Sequence, residues 1–288
     1  MRNDFAIFIT THGRANKQTT LNTFKSLGYT GRWYLMIDDT DTQYDEYVAN
    51  YGLEHIVVFN KQHFIDRTDC CQSVPQTKAV VFARNAVECV APILGHQYYM
   101  IVDDDVTNLR LRYPEEGSLK SAKLTNCIDQ ILESVVQYIE DTGVACVTFG
   151  FTNTYRGGVA SVENFTSRNR MCAELFIRNG NIPVKWRANF VEDLITSIDL
   201  GIRGDVCFQF IPIQLELCMS EGTVQGGMSA AYNETGRFKF YSMPAMIYPN
   251  CVSVAFDGVK WKTRTRAEYA VPKIISSRFR KDRDYEVI

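Results

Sequence analysis

The strongest structural signal in the chain is Tyr98-Tyr99-Met100-Ile101-Val102-Asp103-Asp104-Asp105. Five successive apolar residues predict a strand over Tyr98 to Val102 that is buried on both faces, as in a parallel sheet covered by helices. The strand runs directly into three carboxylates, and like charges this close together are costly unless a cation lies among them. The segment therefore predicts a buried strand that ends at a ligand-binding loop.

A buried strand followed by polar residues occurs twice earlier in the chain. Phe5 to Thr10 leads into Thr11-His12-Gly13-Arg14, and Trp33 to Ile37 leads into Asp38-Asp39-Thr40-Asp41. Ligands of parallel α/β sheets bind beyond the carboxyl ends of the strands. We therefore expect these two loops to share one rim of the sheet with Asp103 to Asp105.

The segments between these strands have a helical pattern, and the alternation predicts a doubly wound, mostly parallel sheet. Further elements expected from periodicity are helices through Leu21, Phe24 and Leu27, through Tyr44 and Tyr47, from about Thr77 to Val90, over Leu124 to Ile139 and over Asn189 to Gly201, and strands over His55 to Phe59, Ala145 to Phe149 and Met171 to Ile177. The 288 residues are 45% hydrophobic and 22% charged, without a linker-like stretch, which indicates one globular module.

Charge, cysteines and the N-terminus exclude several classes of protein. A net charge of -2 argues against a general polyanion binder, although basic residues concentrate between Lys260 and Arg283. Nine cysteines without a CxxC pair favour free thiols over a zinc site and predict a reducing, cytoplasmic location. The apolar run Phe5 to Ile9 is too short for a signal peptide or a transmembrane segment.

Three acidic groups have residue types suited to chemistry. Asp103 and Asp105 would point the same way in an extended strand, and Mg²⁺ or Mn²⁺ prefers such carboxylate oxygens. A carboxylate of Asp38 to Asp41 could accept hydrogen bonds from a nucleobase or ribose. Glu192-Asp193 could supply a general base. Each group also has a structural alternative. Asp103 to Asp105 could form an Asp-rich turn, Asp38 to Asp41 could cap a helix, and Glu192-Asp193 could complement a helix dipole.

Several of these motifs together resemble the GT-A glycosyltransferases of the family-2 kind. Ala83-Arg84-Asn85-Ala86 followed by Tyr98 to Asp105 is similar to the ARN and DxD motifs of that family. The loops at Thr10 to Arg14 and Asp38 to Asp41 resemble its two nucleotide-binding loops, and Glu192-Asp193 resembles its acidic catalytic pair. The resemblance implies an α/β, GT-A (Rossmann-like) single module with a mostly parallel central sheet flanked by helices.

The same resemblance implies a metal-dependent, inverting transfer of a hexose or pentose from a nucleotide-sugar donor such as a UDP-sugar. Asp103 and Asp105 would bind Mn²⁺ or Mg²⁺ and the diphosphate, and Asp193 would be the base, with Glu192 second. The donor would be bound by six residues: Thr10, Thr11, Arg14, Asp39, Arg84 and Asp104. Many relatives add a late histidine ligand, but all four histidines precede the acidic triplet. Glu216 or Glu221 is therefore an alternative ligand, beside water or the diphosphate.

Within this superfamily, the chain most resembles phage DNA glycosyltransferases that are associated with TET-like oxygenases and act on 5-hydroxymethylpyrimidines. The resemblance rests on the loops and on Gly226-Gly227-Met228-Ser229. It implies DNA containing 5-hydroxymethylcytosine as the acceptor, with Tyr155 or Trp186 stacked on an extruded base. Phosphates would be held by the C-terminus and by Arg156, Arg168, Arg170 and Arg187.

This interpretation divides the chain into a nucleotide-sugar-binding half (1–110), an acceptor-binding and catalytic half (111–259) and a basic C-terminal tail (260–288). Three alternatives remain open. One is a glycosyltransferase acting on a polysaccharide, lipid carrier or protein, and another is a nucleotidyltransferase, although Thr11 to Arg14 has only one of the expected glycines. The third is a non-enzymatic DNA-binding module. The oligomeric state is open as well.

Overall fold

The computed structural model describes residues 1–71, 78–160, 162, 173–218, 237–266 and 275–277. Eleven strands and seven α-helices are formed there. The strands are β1 Phe5–Thr10, β2 Arg32–Asp38, β3 Ile56–Phe59, β4 Tyr98–Asp103, β5 Val106–Glu115, β6 Ser118–Lys123, β7 Cys146–Phe151, β8 Leu175–Asn179, β9 Cys207–Leu217, β10 Val252–Phe256 and β11 Trp261–Thr265. The helices are α1 Thr19–Ser26, α2 Tyr44–Tyr51, α3 Lys61–Ile65, α4 Val81–Ile93, α5 Ile128–Thr142, α6 Glu192–Ile202 and α7 Arg237–Ile247. Short 3-10 helices cover Leu53–His55 and Thr152–Tyr155.

Nine of the strands form one sheet in the order β3-β2-β1-β4-β8-β7-β9-β5-β6. The first four are parallel neighbours in the 3-2-1-4 order of a Rossmann-like sheet. The predicted α/β class, with one central sheet flanked by helices, is confirmed. Among the other pairs of described strands, β7–β9 is parallel, and β4–β8, β7–β8, β5–β9 and β5–β6 are antiparallel.

Apolar residues cover both faces of the sheet, as the uninterrupted strands predict. One cluster packs α1, α2 and α5 against β1, β2 and β4 through residues such as Phe24, Tyr47 and Leu132. The opposite cluster packs α4 through Phe82 and Val87. Strands β1 and β4 are buried along nearly their whole length, and polar residues follow where these strands end.

Element boundaries differ from the sequence predictions where tertiary contacts decide them. The helix expected from Thr77 begins at Val81, the helix expected from Asn189 begins at Glu192, and the helix expected from Leu124 begins at Ile128. The strand expected over Met171 to Ile177 is displaced to Leu175–Asn179. Thr77 and Met171 lie outside the described residues.

The last described part of the chain packs on α6. Helix α7 contacts it through Met243 against Ile195, and the two-stranded β10–β11 ribbon follows, with Val252 packed against Ile198. The predicted segment boundary at residue 260 falls within this ribbon. In the described part of the chain, the eight cysteines are free, and no helix has the length and hydropathy needed to cross a membrane.

Candidate active site

The loops after β1, β2 and β4 meet at one rim of the sheet, as predicted. The hydroxyl of Thr10 donates to Asp103 (2.7 Å), and the hydroxyl of Thr11 donates to Asp104 (2.6 Å). The backbone N–H of Gly13 donates to Asp41 over 2.7 Å. Side chains that are widely separated in sequence are thereby brought into one site by the parallel register of the three strands.

Asp104 lies inside the rim and holds its loops together. Its carboxylate is 5% exposed, accepts from Thr11 and forms an ion pair with Arg14. Burial raises its pKa, and the bonds from Thr11 and Arg14 oppose that rise. The sequence prediction named Asp104 and Arg14 as donor-binding residues, but here each neutralises the other, so their visible role is to position the loop.

Asp103 and Asp105 differ from Asp104 in being partly exposed. Helix α1 fixes the turn that carries them, because Thr20 Oγ1 donates to the carbonyl of Asp103 and accepts from the N–H of Val106 (2.9 Å). The carboxylate of Asp105 forms no hydrogen bond or ion pair with another described residue. Burial, with the charges of Asp103 and Asp104, raises the pKa of Asp105 to about 6. The charge of Arg14 opposes this rise, but Arg14 forms its ion pair with Asp104.

Arg84 is a cation that interacts with both Asp103 and the acidic pair Glu192 and Asp193. It projects from α4, is 3% exposed, and lies over the rings of Phe176 (4.9 Å) and Trp186 (5.3 Å). Its guanidinium donates to Glu192 over 2.6 Å and to Asp103 over 3.4 Å. Arg84 thus connects the acidic loop after β4 to the acidic pair on α6.

The predicted acidic pair opens α6, and the backbone before it is strained. Val191 has φ of 54°, a left-handed conformation that β-branched residues rarely adopt. Asp193 accepts from the N–H of Leu194 over 2.7 Å. Burial raises the pKa values of both Glu192 and Asp193, and the charge of Arg84 opposes the rise. A carboxylate in such a setting binds a proton more readily than one in water.

Glu174 is a further carboxylate that interacts with Asp103, Asp193 and Arg84, and the sequence analysis did not predict it. It precedes β8, whose antiparallel register pairs Leu175 with Val102, so Glu174 comes beside Asp103. Its backbone is also left-handed, with φ of 65°. Burial raises its pKa to about 8, and the charges of Asp193 and Asp103 add to that effect. The strand register brings Glu174 beside Asp103, and no local sequence motif predicts this position.

The loop after β2 forms the outer wall of the rim. His12 donates to Asp38 over 2.9 Å, and Lys61 lies 3.1 Å from the same carboxylate. Burial alone would raise the pKa of Asp38, but the hydrogen bonds from His12 and Thr40 and the charge of Lys61 together outweigh it and hold that pKa well below its usual range. Asp39, the predicted nucleotide contact, is exposed and accepts from Asn60 (2.7 Å).

The residues present fit a divalent metal that arrives with a diphosphate. No three carboxylate, imidazole or thiolate groups converge as a metal cage within the described ranges. Mg²⁺ is usually held by one or two carboxylates together with substrate phosphates, and Asp103 and Asp105 supply that number. The suggested extra ligand Glu216 is bound instead to Arg110 (3.0 Å), and Glu221 lies outside the described residues.

The aromatic residues expected to stack on a base are not available for that role. Tyr155 is 7% exposed and donates to the carbonyl of Ile211, and Trp186 is 2% exposed beneath Arg84. The sequence expectation was wrong because both rings fill the core. Of the predicted phosphate contacts, Arg156 is exposed and Arg187 pairs with Asp199 (3.3 Å). Arg168, Arg170 and Gly226 to Ser229 lie outside the described residues.

Comparison with known proteins gives a family match over most of the chain. The model of the TET-associated glycosyltransferase family matches residues 5–227, which include every element of the site. No curated protein matches the chain. Similar solved structures include a mycobacterial protein (10% identity, 91% of this chain and 83% of that chain, TM-score 0.47). Another is glucosyl-3-phosphoglycerate synthase from Mycobacterium tuberculosis in complex with Mg²⁺ and uridine diphosphate (10%, 91% and 86%, TM-score 0.46).

Proposed function

The chain belongs to the TET-associated glycosyltransferase family, and on that premise we propose that it moves a sugar from a UDP-sugar, with Mn²⁺ or Mg²⁺, to the hydroxyl of 5-hydroxymethylcytosine in phage DNA. The observation that carries the proposal is the arrangement of acids around Arg84. Asp103, Asp105, Glu174, Glu192 and Asp193 interact with one another or with Arg84 at the rim where ligands of such sheets bind.

The donor end of the site is the rim formed by the first three loops. A divalent cation bound there would neutralise the charge that develops on the leaving diphosphate. Thr10 orients Asp103 through its 2.7 Å hydrogen bond, and Asp104 with Arg14 holds the loop after β1 against the loop after β4. Asp39, on the exposed outer wall, is the proposed contact to the nucleoside.

Asp193 is the proposed general base for direct, inverting displacement. The acceptor hydroxyl must lose a proton as it attacks the anomeric carbon, and a carboxylate with a raised pKa accepts that proton more readily. Glu192 is bound by Arg84 and is therefore less free to take the proton. Arg84 acts as a positioning residue, because it connects Glu192 to Asp103.

The choice of DNA as acceptor rests on the family's association with TET oxygenases and on an exposed basic surface at the C-terminal end of the described chain. A polysaccharide, lipid carrier or protein acceptor is the competing proposal. None of these three is an extended line of phosphates as DNA is. A non-enzymatic DNA-binding role would leave the buried acids around Arg84 without a purpose.

A transfer assay tests the proposal. The protein is incubated with Mn²⁺, a panel of nucleotide sugars and DNA that contains either cytosine or 5-hydroxymethylcytosine, and the DNA is analysed by mass spectrometry. We expect a hexose or pentose mass on the hydroxymethylated DNA only. Donor hydrolysis without labelled DNA would redirect the acceptor to glycans, lipids or proteins.

The Asp193→Asn variant tests the base. It should bind donor as the wild type does but lose transfer by at least about 100-fold, the usual contribution of a general base. Asp199→Asn is the matched control, since it removes a carboxylate from the same helix that contacts Arg187 and not Arg84. Normal turnover in Asp193→Asn would assign the base to another residue.

A further inference from the structure

The described residues 237–266 are strongly basic in a chain whose net charge is -2. Six basic residues stand against a single acid, Asp257, in these thirty positions. The basic residues are Arg237, Lys239, Lys260, Lys262, Arg264 and Arg266. This segment lies beyond residue 227, where the family match ends.

The β10–β11 ribbon separates its side chains by charge. In the antiparallel register, Lys262 lies opposite Ala255 and Arg264 opposite Ser253, so these residues share one face. Lys260 and Arg266 flank β11 directly and continue the same alternation, with a backbone repeat of about 6.8 Å for every two residues. Arg264 and Arg266 are exposed and form no ion pair with any described residue, whereas Lys262 pairs with Asp257. This face is therefore a linear, mostly unneutralised row of cations beside small side chains.

Aromatic residues occupy the opposite face near the tip of the ribbon. Phe256 lies opposite Trp261 in the register, with ring centroids 5.1 Å apart, and Phe238 of α7 packs on Trp261 at 4.7 Å. Phe238 and Phe256 are each 53% exposed, and Val259 at the turn is 87% exposed. Large apolar side chains that are clustered and exposed commonly mark a contact surface.

The ribbon is attached to α6, the helix whose first two residues are the acidic pair Glu192 and Asp193. Thr263 Oγ1 donates to the carbonyl of Tyr241 in α7 over 2.8 Å, and α7 packs on α6 through Met243 and Ile195. Cys251 and Val252 pack directly on Leu194 and Ile198 of α6. A macromolecule bound to the ribbon is thereby held by the same element that carries Glu192 and Asp193.

We propose that the β10–β11 ribbon is a docking surface for duplex DNA. The major groove accepts a two-stranded ribbon, and the 5-substituent of a pyrimidine lies in that groove. The cation row would meet the phosphates, while Phe256 and Val259 would contact the apolar edges of the groove. The opposite face is covered by α7 and α6, so a partner meets the cation row and the tip of the ribbon. A straight row of cations matches a line of phosphates along a groove better than it matches a flat bilayer surface, which favours DNA over a membrane. The proposal rests on DNA being the acceptor.

DNA binding by the full chain tests this surface without requiring transfer. The Arg264→Ser, Arg266→Ser double variant is compared with wild type by fluorescence anisotropy on an unmodified 20-base-pair duplex at several NaCl concentrations. We expect at least about a tenfold rise in Kd, and a salt slope smaller by about two, since each phosphate contact contributes about one. Phe256→Ala should weaken binding without changing the slope.

Lys120→Ser, Lys123→Ser is the matched control, because it removes two exposed cations from β6, an edge strand of the main sheet that is not part of the ribbon. The proposal is overturned if both double variants lose the same affinity, if the ribbon variant binds as wild type does, or if the wild type binds no DNA. It is also overturned if the ribbon variant loses binding only to phosphatidylserine vesicles. If the wild type binds DNA through the ribbon but transfers no sugar, the proposed function alone is refuted. If the ribbon variant keeps wild-type DNA affinity and normal transfer, only the docking role of the ribbon is refuted.

Discussion

At the scale of single residues, Asp105 differs from its two neighbours in the acidic triplet. Asp103 accepts from Thr10 and Asp104 is paired with Arg14, but the carboxylate of Asp105 has no partner among the described residues. The charge of Asp105 is therefore available to a cation. We predict that Asp105→Asn lowers the Mn²⁺-dependent affinity for UDP at least about tenfold, as measured by calorimetry.

Asp141→Asn is the control for that measurement, since Asp141 is exposed on α5 and its carboxylate accepts a hydrogen bond from Gln137 of the same helix. Both variants should melt within a few degrees of the wild type, because neither removes a buried packing contact. An Asp105→Asn variant with unchanged Mn²⁺-dependent affinity would remove Asp105 from the metal site.

Glu174 gives the stability of the metal-free protein a distinctive pH dependence. Because its pKa rises to about 8 on folding, the folded state binds more protons than the unfolded state above about pH 4.3. Stability should therefore fall as pH rises from about 5 to 8. We predict a lower Tm at pH 8 than at pH 5.5 in the presence of a chelator, and a smaller difference in Glu174→Gln, which cannot ionise. An equal pH dependence in the variant would contradict the assignment.

The sequence predicted some of these residues and missed others for a physical reason. Thr10, Asp103 and Asp105 follow buried apolar runs, so their position at the strand ends could be deduced from local pattern alone. Glu174 comes beside Asp103 only because Leu175 pairs with Val102 across 73 positions of the chain. A non-local register of this kind is invisible in a single sequence. Burial of Trp186 was missed for the same reason.

At the scale of elements, Glu88 fastens α4 to the sheet. Its buried carboxylate accepts from Tyr99 of β4 (2.6 Å), Arg178 of β8 (2.9 Å) and Trp186 (3.0 Å). Arg178 is 1% exposed, so removing its counter-charge would leave a buried cation. We predict that Glu88→Gln lowers the free energy of unfolding by about 3 kcal/mol in denaturant titrations.

Glu133→Gln provides the comparison for a pair near the surface. Glu133 is 43% exposed and lies 3.3 Å from the N-terminal amine, and exposed pairs contribute no more than about 1 kcal/mol. A loss in Glu88→Gln no larger than in Glu133→Gln would contradict a structural role for the buried network. Since α4 also carries Arg84, loosening this helix should lower transfer as well.

The two halves of the sheet differ in how far local sequence determines them. Strands β1, β2, β3 and β4 were predicted nearly to the residue, because parallel strands covered on both faces appear as short continuous apolar runs. Strands β5, β6 and β9 were not predicted. They are partly exposed and pair with one another in antiparallel orientation, with polar residues at alternate positions, and their identity as strands depends on this pairing.

At the scale of the whole molecule, the site joins distant parts of the sheet. Its residues come from the loops after β1, β2 and β4, from α4, from the start of β8 and from α6. A ligand that bridges these elements should stabilise the protein as one unit, whereas a metal alone meets only two carboxylates, Asp103 and Asp105, at the rim. The donor and the metal are therefore expected to act together.

We predict that saturating UDP with Mn²⁺ stabilises the protein far more than either does separately. At 100 times the Kd, binding to the folded state contributes about 2.7 kcal/mol, which corresponds to a rise in Tm of several degrees, and differential scanning fluorimetry detects a change of that size. Mn²⁺ alone should raise Tm little, because the described residues form no three-ligand metal cage. Asp105→Asn should respond to UDP with Mn²⁺ no more than to UDP alone. An equal rise with Mn²⁺ alone would mean that the chain binds the metal without the diphosphate, and the two-carboxylate site would then be incorrect.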